Sequence, residues 1–126
     1  MTTTTDRVNE LFADARELYA DALEMLAQDR IRNAADKSWC AVKRATGALI
    51  LARTGQEPSN THQTSAGSRS LGQQSDALAS LRSRFSDYVH HLHVECFYNG
   101  HCEPEDYIVG LIRDTGNYIR DAEASS

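Results

Sequence analysis

The sequence predicts an all-α protein: an antiparallel up-and-down helical bundle of four main helices with a long loop between helices 2 and 3. Three observations carry that prediction. Apolar residues recur at helical spacing in four stretches, none alternates as a strand would, and the two prolines and seven glycines fall at plausible boundaries. At 126 residues the chain is expected to form one domain, 1–126, with residues 1–4 and 124–126 frayed.

The first helix starts from Thr5 as N-cap and buries Val8, Leu11, Phe12, Ala15, Tyr19, Ala22, Leu23 and Leu26. At ~100° per residue, Asp6, Glu10, Asp14, Glu17, Asp21 and Glu24 line the opposite side, as the solvated face of an amphipathic helix does. The second helix runs from Asp29 to about Thr54, with Gly55 as its stop. Its buried stripe is Ile31, Ala35, Trp39, Val42, Ala45, Leu49 and Ala52. Gly47 costs about 1 kcal/mol against alanine in a helix interior, which points to close approach of another backbone.

Residues 55–72, GQEPSNTHQTSAGSRSLG, have turn and loop composition, with room for one short helical turn after Thr64. The third helix begins near Ser75, buries Leu78, Leu81, Phe85, Val89, Leu92 and Cys96, and ends before YNG. The fourth starts at CEPED, with Pro104 in its first turn and Glu105 and Asp106 at the positive dipole end. Tyr107, Ile108, Leu111, Ile112, Thr115, Tyr118, Ile119 and Ala122 continue it.

Composition excludes several classes. No apolar run approaches the roughly 20 residues that span a bilayer, so no membrane role is expected. The N-terminus MTTTTDRVNE lacks the basic and apolar regions of a signal peptide. Three cysteines, an odd number at no framework spacing, argue against a secreted disulfide scaffold and for a reducing cytoplasm. Net charge is −5, unlike a basic non-specific nucleic-acid binder, but it is unevenly placed. Residues 1–29 carry seven acids and two bases, whereas residues 30–53 carry six bases and one acid. Any anionic partner must therefore meet a local patch. Arg30, Lys37 and Arg44, seven apart on one helix face, are candidate contacts for nucleic acid or nucleotide, together with His93 and Tyr98. The competing reading pairs that stripe with Glu57, with the acids of the fourth helix, or with solvent.

The stretch HHLHVECFYNGHC, residues 90–102, holds four of the five histidines and two of the three cysteines. Only His90 and His93 could chelate one ion from within a helix, with His101 or Cys102 folding back across YNG. That spacing matches no strong zinc signature, so neither a metal nor another cofactor is assigned. His93 is expected to be hydrogen-bonded at a helix junction, and Cys96 to be a small core residue. Arg84 and His91 lie nearly two turns apart on one face, ~10 Å along the axis. Across a dimer axis they suit ribose 2′-hydroxyl chemistry, histidine as general base and arginine stabilising the developing charge. The ordinary alternative pairs Arg84 with Asp87 or Glu95. No phosphate-binding loop, dinucleotide fingerprint, serine elbow or paired-carboxylate motif is present.

Taken in order, ARELYADALEMLAQDRIRNAADKSWCAVKRATGALILARTG, THQTSAGSRSL and LHVECFYNGHCEPEDYIVGLI resemble the HEPN (higher eukaryotes and prokaryotes nucleotide-binding) superfamily, especially its small stand-alone archaeal and bacterial branch. The likeness covers about residues 6–122, and Leu92 to Tyr98 is its most specific part. It implies a bundle that homodimerises and binds RNA, a nucleotide or a protein partner, such as a nucleotidyltransferase-type antitoxin in a toxin–antitoxin system. Ribonuclease members carry an arginine followed by histidine after four to six residues, which Arg84 with His90 or His91 fits. Active members place Asn, Asp or His directly after that arginine, and Phe85 stands there instead. The resemblance therefore implies a non-catalytic binding dimer first. A metal-independent endoribonuclease of toxin type and a pure dimerisation scaffold are the alternatives.

Overall fold

In the computed structural model, which describes residues 3–126, every regular element is helical among those residues. There are five α-helices and one π-helix rather than four helices: α1 (Thr4–Ala27), α2 (Ile31–Thr54), α3 (Thr61–Leu71), α4 (Asp76–Tyr88), the π-helix (Val89–Tyr98) and α5 (Glu105–Ala124).

The N-cap of α1 is Thr3, not Thr5. The Thr3 hydroxyl accepts from the Asp6 N–H at 3.0 Å, and the Asp6 carboxylate accepts from the Thr3 N–H at 3.1 Å. This reciprocal box satisfies two orphan donors at once, which Thr5 has no acid in place to do. Of the expected frayed ends, residues 1 and 2 lie outside the described residues. Thr3 and Thr4 are held by the cap, and α5 continues through Ala124 to Ser125. Asp29 takes a left-handed φ of 60°, so α2 starts two residues later than expected. Gly55, at φ 78°, ends α2 as predicted and donates to the Leu51 carbonyl at 2.9 Å.

α2 touches every other element of the fold. Its burial accordingly exceeds the single stripe read from the sequence: Ala34, Ser38, Ala41 and the whole run Ala45–Leu51 are buried, while Ala52 is exposed. Small side chains dominate because neighbours approach from several sides. No backbone presses on Gly47, however; a Cβ there would meet only the Pro58 ring, at 3.8 Å.

The segment read as loop contains α3. Asn60 caps it by accepting from the Gln63 N–H at 2.9 Å, and Gln63 Oε1 accepts in return from the Ser59 N–H at 2.8 Å. Gly67 lets α3 lie on α2, since a Cβ there would come within 2.6 Å of the Ile50 side chain.

α4, N-capped by Ser75, runs directly into the π-helix, which ends with the Asn99 N–H bonded five residues back to the Val94 carbonyl at 2.9 Å. The buried positions follow the change of period: Leu78, Leu81, Phe85 and Tyr88 are α-spaced, after which Leu92 and Cys96 follow at strict intervals of four. A projection at ~100° per residue nonetheless places the histidines correctly, with His91 and His93 half-buried on either flank of Leu92 and His90 exposed. Arg32 of α2 donates to the carbonyls of Phe97 and Tyr98, at 2.7 and 3.2 Å, closing the end of the π-helix. Cys96 is not a free core thiol: it forms a disulfide with Cys102, leaving Cys40 as the free cysteine. The cysteine count, read against a secreted disulfide scaffold, did not foresee this single local bond, which the turn at Asn99–Gly100 makes by bringing the two sulfurs together.

Pro104 is the N-cap of α5 rather than a first-turn residue, with Glu105 and Asp106 following. Ile108, Ile112, Thr115, Tyr118, Ile119 and Ala122 are buried, but Tyr107 is exposed. In the core, Trp39 meets Phe85 with ring centroids 5.5 Å apart, and Tyr88 meets Tyr118 edge-on at the same distance. No helix among the described residues is long and apolar enough to cross a membrane.

Candidate anion-binding cleft

Thirteen Lys and Arg side chains must be reconciled with eighteen carboxylates, so the informative cations are those without partners. Arg7 is bound to Glu57 at 2.7 and 3.0 Å, Arg16 to Glu123 at 3.0 Å, Arg44 to Asp14 at 2.8 Å and Arg84 to Asp121 at 2.7 Å. Among the described residues, Lys37, Lys43, Arg69, Arg82 and Arg113 have neither an ion pair nor a side-chain hydrogen bond.

Two of these, Arg69 and Arg82, face one cleft of about 320 Å³ formed by α3, α4 and the π-helix. α3 presents Ser65, Ser68 and Arg69, which its periodicity brings to one side; α4 presents Arg82 and Ser86, and the π-helix adds His90. Phe85, Val89 and Val94 form the apolar wall. No carboxylate among the described residues lines this space. Gly72, in the turn between α3 and α4, admits the stem of Arg82: a Cβ there would lie 2.7 Å from Arg82 Cδ. Two guanidinium groups, an imidazole and three serine hydroxyls make a donor-rich surface that suits a phosphate or similar oxyanion. By contrast, the groove between α1 and α5 gathers Arg16, Arg113 and Arg120 but also holds Glu123, which pairs with Arg16.

The residues singled out in the sequence are dispersed. Arg84 has its guanidinium 5.5 Å from the centroid of Tyr118 and bonded to Asp121. Burial, the largest single influence, works against its charge, but the hydrogen bond to Asp121 together with Tyr88 and the Asp114 charge outweighs it, and the guanidinium pKa is raised. Neither Asp87 nor Glu95 is its partner. His91 stacks edge-on against Tyr107 at 5.3 Å and against His90 at 4.7 Å. Arg84 and His91 thus meet α5 at Asp121 and Tyr107, ~21 Å apart along that helix. The chain does not bring them together. Only His90 enters the cleft, where it lies with Arg69 and Arg82 instead.

The basic stripe is also broken. Arg30 sits in the turn before α2 with Gln28 as its contact, Arg44 is held by Asp14 of α1, and only Lys37 stays unpaired. The acids of α1 are therefore not all directed to solvent, because Asp14 turns to α2. His93 lies flat on Trp39, centroids 5.1 Å apart, with Nδ1 buried and without a hydrogen-bond partner, contrary to the junction hydrogen bond expected of it. Tyr98 is exposed. No three His, Cys, Asp or Glu side chains among the described residues converge as metal ligands.

The sequence reading missed Arg69, Arg82 and the three serines because half of the cleft stands on the segment taken for a loop. A signal was available: Asn60 followed three residues later by Gln63 is a helix-start pattern.

Fold and cleft together define a small all-helical protein with a cationic, hydroxyl-lined recess between three consecutive elements. The model of the Archaeal PaREP1/PaREP8 family matches residues 10–111, and the chain belongs to that family. No curated protein and no solved structure gives a match.

Proposed function

We propose that the protein is a non-catalytic binding module that takes the phosphate of RNA or of a nucleotide in the cleft of Arg69, Arg82 and His90. One observation carries this reading: in a chain of net charge −5, these basic groups converge with three hydroxyls and without a carboxylate. Phosphate contacts supply most of the affinity of such modules and make it salt-dependent. The apolar wall of Phe85, Val89 and Val94 is suited to the sugar or base. The endoribonuclease alternative is not adopted, since Arg84 is engaged by Asp121 and stands apart from His91.

The proposal keeps the HEPN kinship. Contacts of α1 with α2 and α5, and of α4 with α5, support an up-and-down arrangement to which α3 is added: Arg7 meets Glu57, Arg16 meets Glu123, Tyr19 meets Arg113 and Arg84 meets Asp121. A homodimer, a protein partner of the nucleotidyltransferase type and a cytoplasmic setting belong to the same reading. Intracellular disulfides have precedent in hyperthermophilic archaea. Light scattering that returned only the 14.0 kDa mass at micromolar concentration would refute the pairing.

Anisotropy of a labelled single-stranded RNA 12-mer tests the cleft. Arg69→Gln and Arg82→Gln are each expected to weaken binding about tenfold, and to flatten the salt slope by ~0.7 for each phosphate no longer neutralised. Lys37→Gln with Arg44→Gln is expected to change little. Unaltered affinity in the Arg69→Gln, Arg82→Gln double variant would sink the assignment.

A further inference from the structure

A larger recess lies on another face of the molecule, between α1, α2 and the segment that follows α2. Its volume is about 490 Å³, within the ~300–1,000 Å³ typical of small-molecule sites. We infer that this cavity is a second ligand site, for a small molecule with an apolar body and a single anionic end, such as a medium-chain or aromatic carboxylate.

The first support is Gly47 on its wall. This glycine is buried near the middle of α2, where it costs about 1 kcal/mol relative to alanine. Its backbone makes no special demand, since the positive-φ glycines are Gly55 and Gly100. Nor does a neighbour require it. At Gly67 and Gly116 a Cβ would come within 2.6 Å of Ile50 and Tyr19, whereas at Gly47 the nearest atom is 3.8 Å away. The missing side chain leaves space rather than admitting a packed partner.

The second support is the distribution of charge. Both carboxylates on the rim are taken: Asp14 binds Arg44 at 2.8 Å, and Glu57 binds Arg7 at 2.7 Å. The hydrogen bond from Arg7 holds the Glu57 carboxyl below its usual pKa, so it stays ionised and committed to that arginine. Lys43 is the one charged lining residue without a partner among the described residues. An entering carboxylate gains an ion pair there; an entering cation finds no free carboxylate. Leu11, Leu18 and Pro58 supply apolar wall, and the Cys40 thiol, its pKa pushed up by burial, stays neutral and adds to it.

The probe is 8-anilino-1-naphthalenesulfonate, an aromatic body with one anionic group, displaced by octanoate at pH 7. Saturable one-to-one fluorescence enhancement and full displacement are expected for the wild type. Gly47→Leu, which fills the wall, and Lys43→Gln, which removes the cation, should each weaken dye binding about tenfold. Arg69→Gln with Arg82→Gln should leave it unchanged, because the phosphate cleft is separate. A second readout does not depend on Gly47→Leu folding: octanoate should slow iodoacetamide alkylation of Cys40 in the wild type, saturating over the same concentration range. Dye binding that survives Lys43→Gln, or that vanishes in the Arg69→Gln, Arg82→Gln variant, overturns the inference. Absence of both dye binding and thiol protection does the same.

Discussion

Tyr118 shows how much one buried hydroxyl decides. Thr46 Oγ1 lies 2.7 Å from the Val42 carbonyl and 2.6 Å from the Tyr118 hydroxyl, so the two hydroxyls and the carbonyl form one buried hydrogen-bonded chain. A phenolate there would lie fully buried, and burial pushes the Tyr118 pKa from 10.0 to about 12 against the opposing pull of Thr46 and Arg84. The sign follows. Below pH 10 the phenol is neutral in folded and unfolded chains alike, so the full stabilisation is present. Between about 10 and 12 the unfolded chain ionises first, and stability falls as pH rises. Tyr88 acts in the same direction, raised by burial and by its hydrogen bond to Asp114. Tyr118→Phe is therefore expected to cost about 1 kcal/mol at pH 7 and to show a shallower alkaline decline in melting temperature. Parallel curves for variant and wild type over that window would count against the assignment. At this scale the sequence was a good guide to which residues are buried, since Phe12, Trp39, Phe85 and Ile112 sit where periodicity put them. It was a poor guide to partners. Arg84 chose Asp121, 37 residues away, over the acids of its own helix.

At the scale of elements, α1, α2 and α5 were legible because each carries a long amphipathic pattern with clear stops. α3 was not, because its residues are small and polar: Ser65, Ala66, Gly67 and Ser68 look like loop composition yet serve a close helix contact. Gly67→Ala tests that account. The added methyl would strike Ile50, so the variant should lose ~1–3 kcal/mol in chemical denaturation, where an unhindered glycine-to-alanine change in a helix gains stability. Arg69 rides on the same helix, so RNA affinity should fall with it. A stabilised Gly67→Ala variant would mean that α3 does not rest on α2 as described. The π-helix was illegible for a different reason. Its apolar positions are compatible with α-periodicity for about one turn, and a change of hydrogen-bond register leaves no mark in composition. Within it His90 joins Arg69 and Arg82 at one cleft.

For the molecule as a whole, the blocks of charge along the chain mislead if read as surfaces. The basic block of residues 30–53 sits on the most enclosed helix and spends half of its charge internally: Arg32 on the carbonyls of Phe97 and Tyr98, Arg44 on Asp14, and Arg53 on the Ser125 carbonyl. The cleft draws instead on residues 65–94, a region that is near neutral in sequence but free of carboxylates where it folds together. Local charge imbalance in space, not in sequence, is what an anionic ligand meets.

The enclosure of α2 has a consequence in time as well as in space. From Ala45 to Leu51 no residue of that helix reaches solvent appreciably, and each packs against an element that would have to leave first. Opening those amides to water thus requires dismantling the protein, whereas α3 rests on fewer neighbours and can part from the rest alone. In deuterated buffer the backbone protons of residues 45–51 should outlast all others and report the global unfolding free energy, while those of residues 61–71 should exchange orders of magnitude sooner. Should the two segments exchange together, the recess built on α3 would be as permanent as the core; should they separate, it opens and closes while the core stays shut.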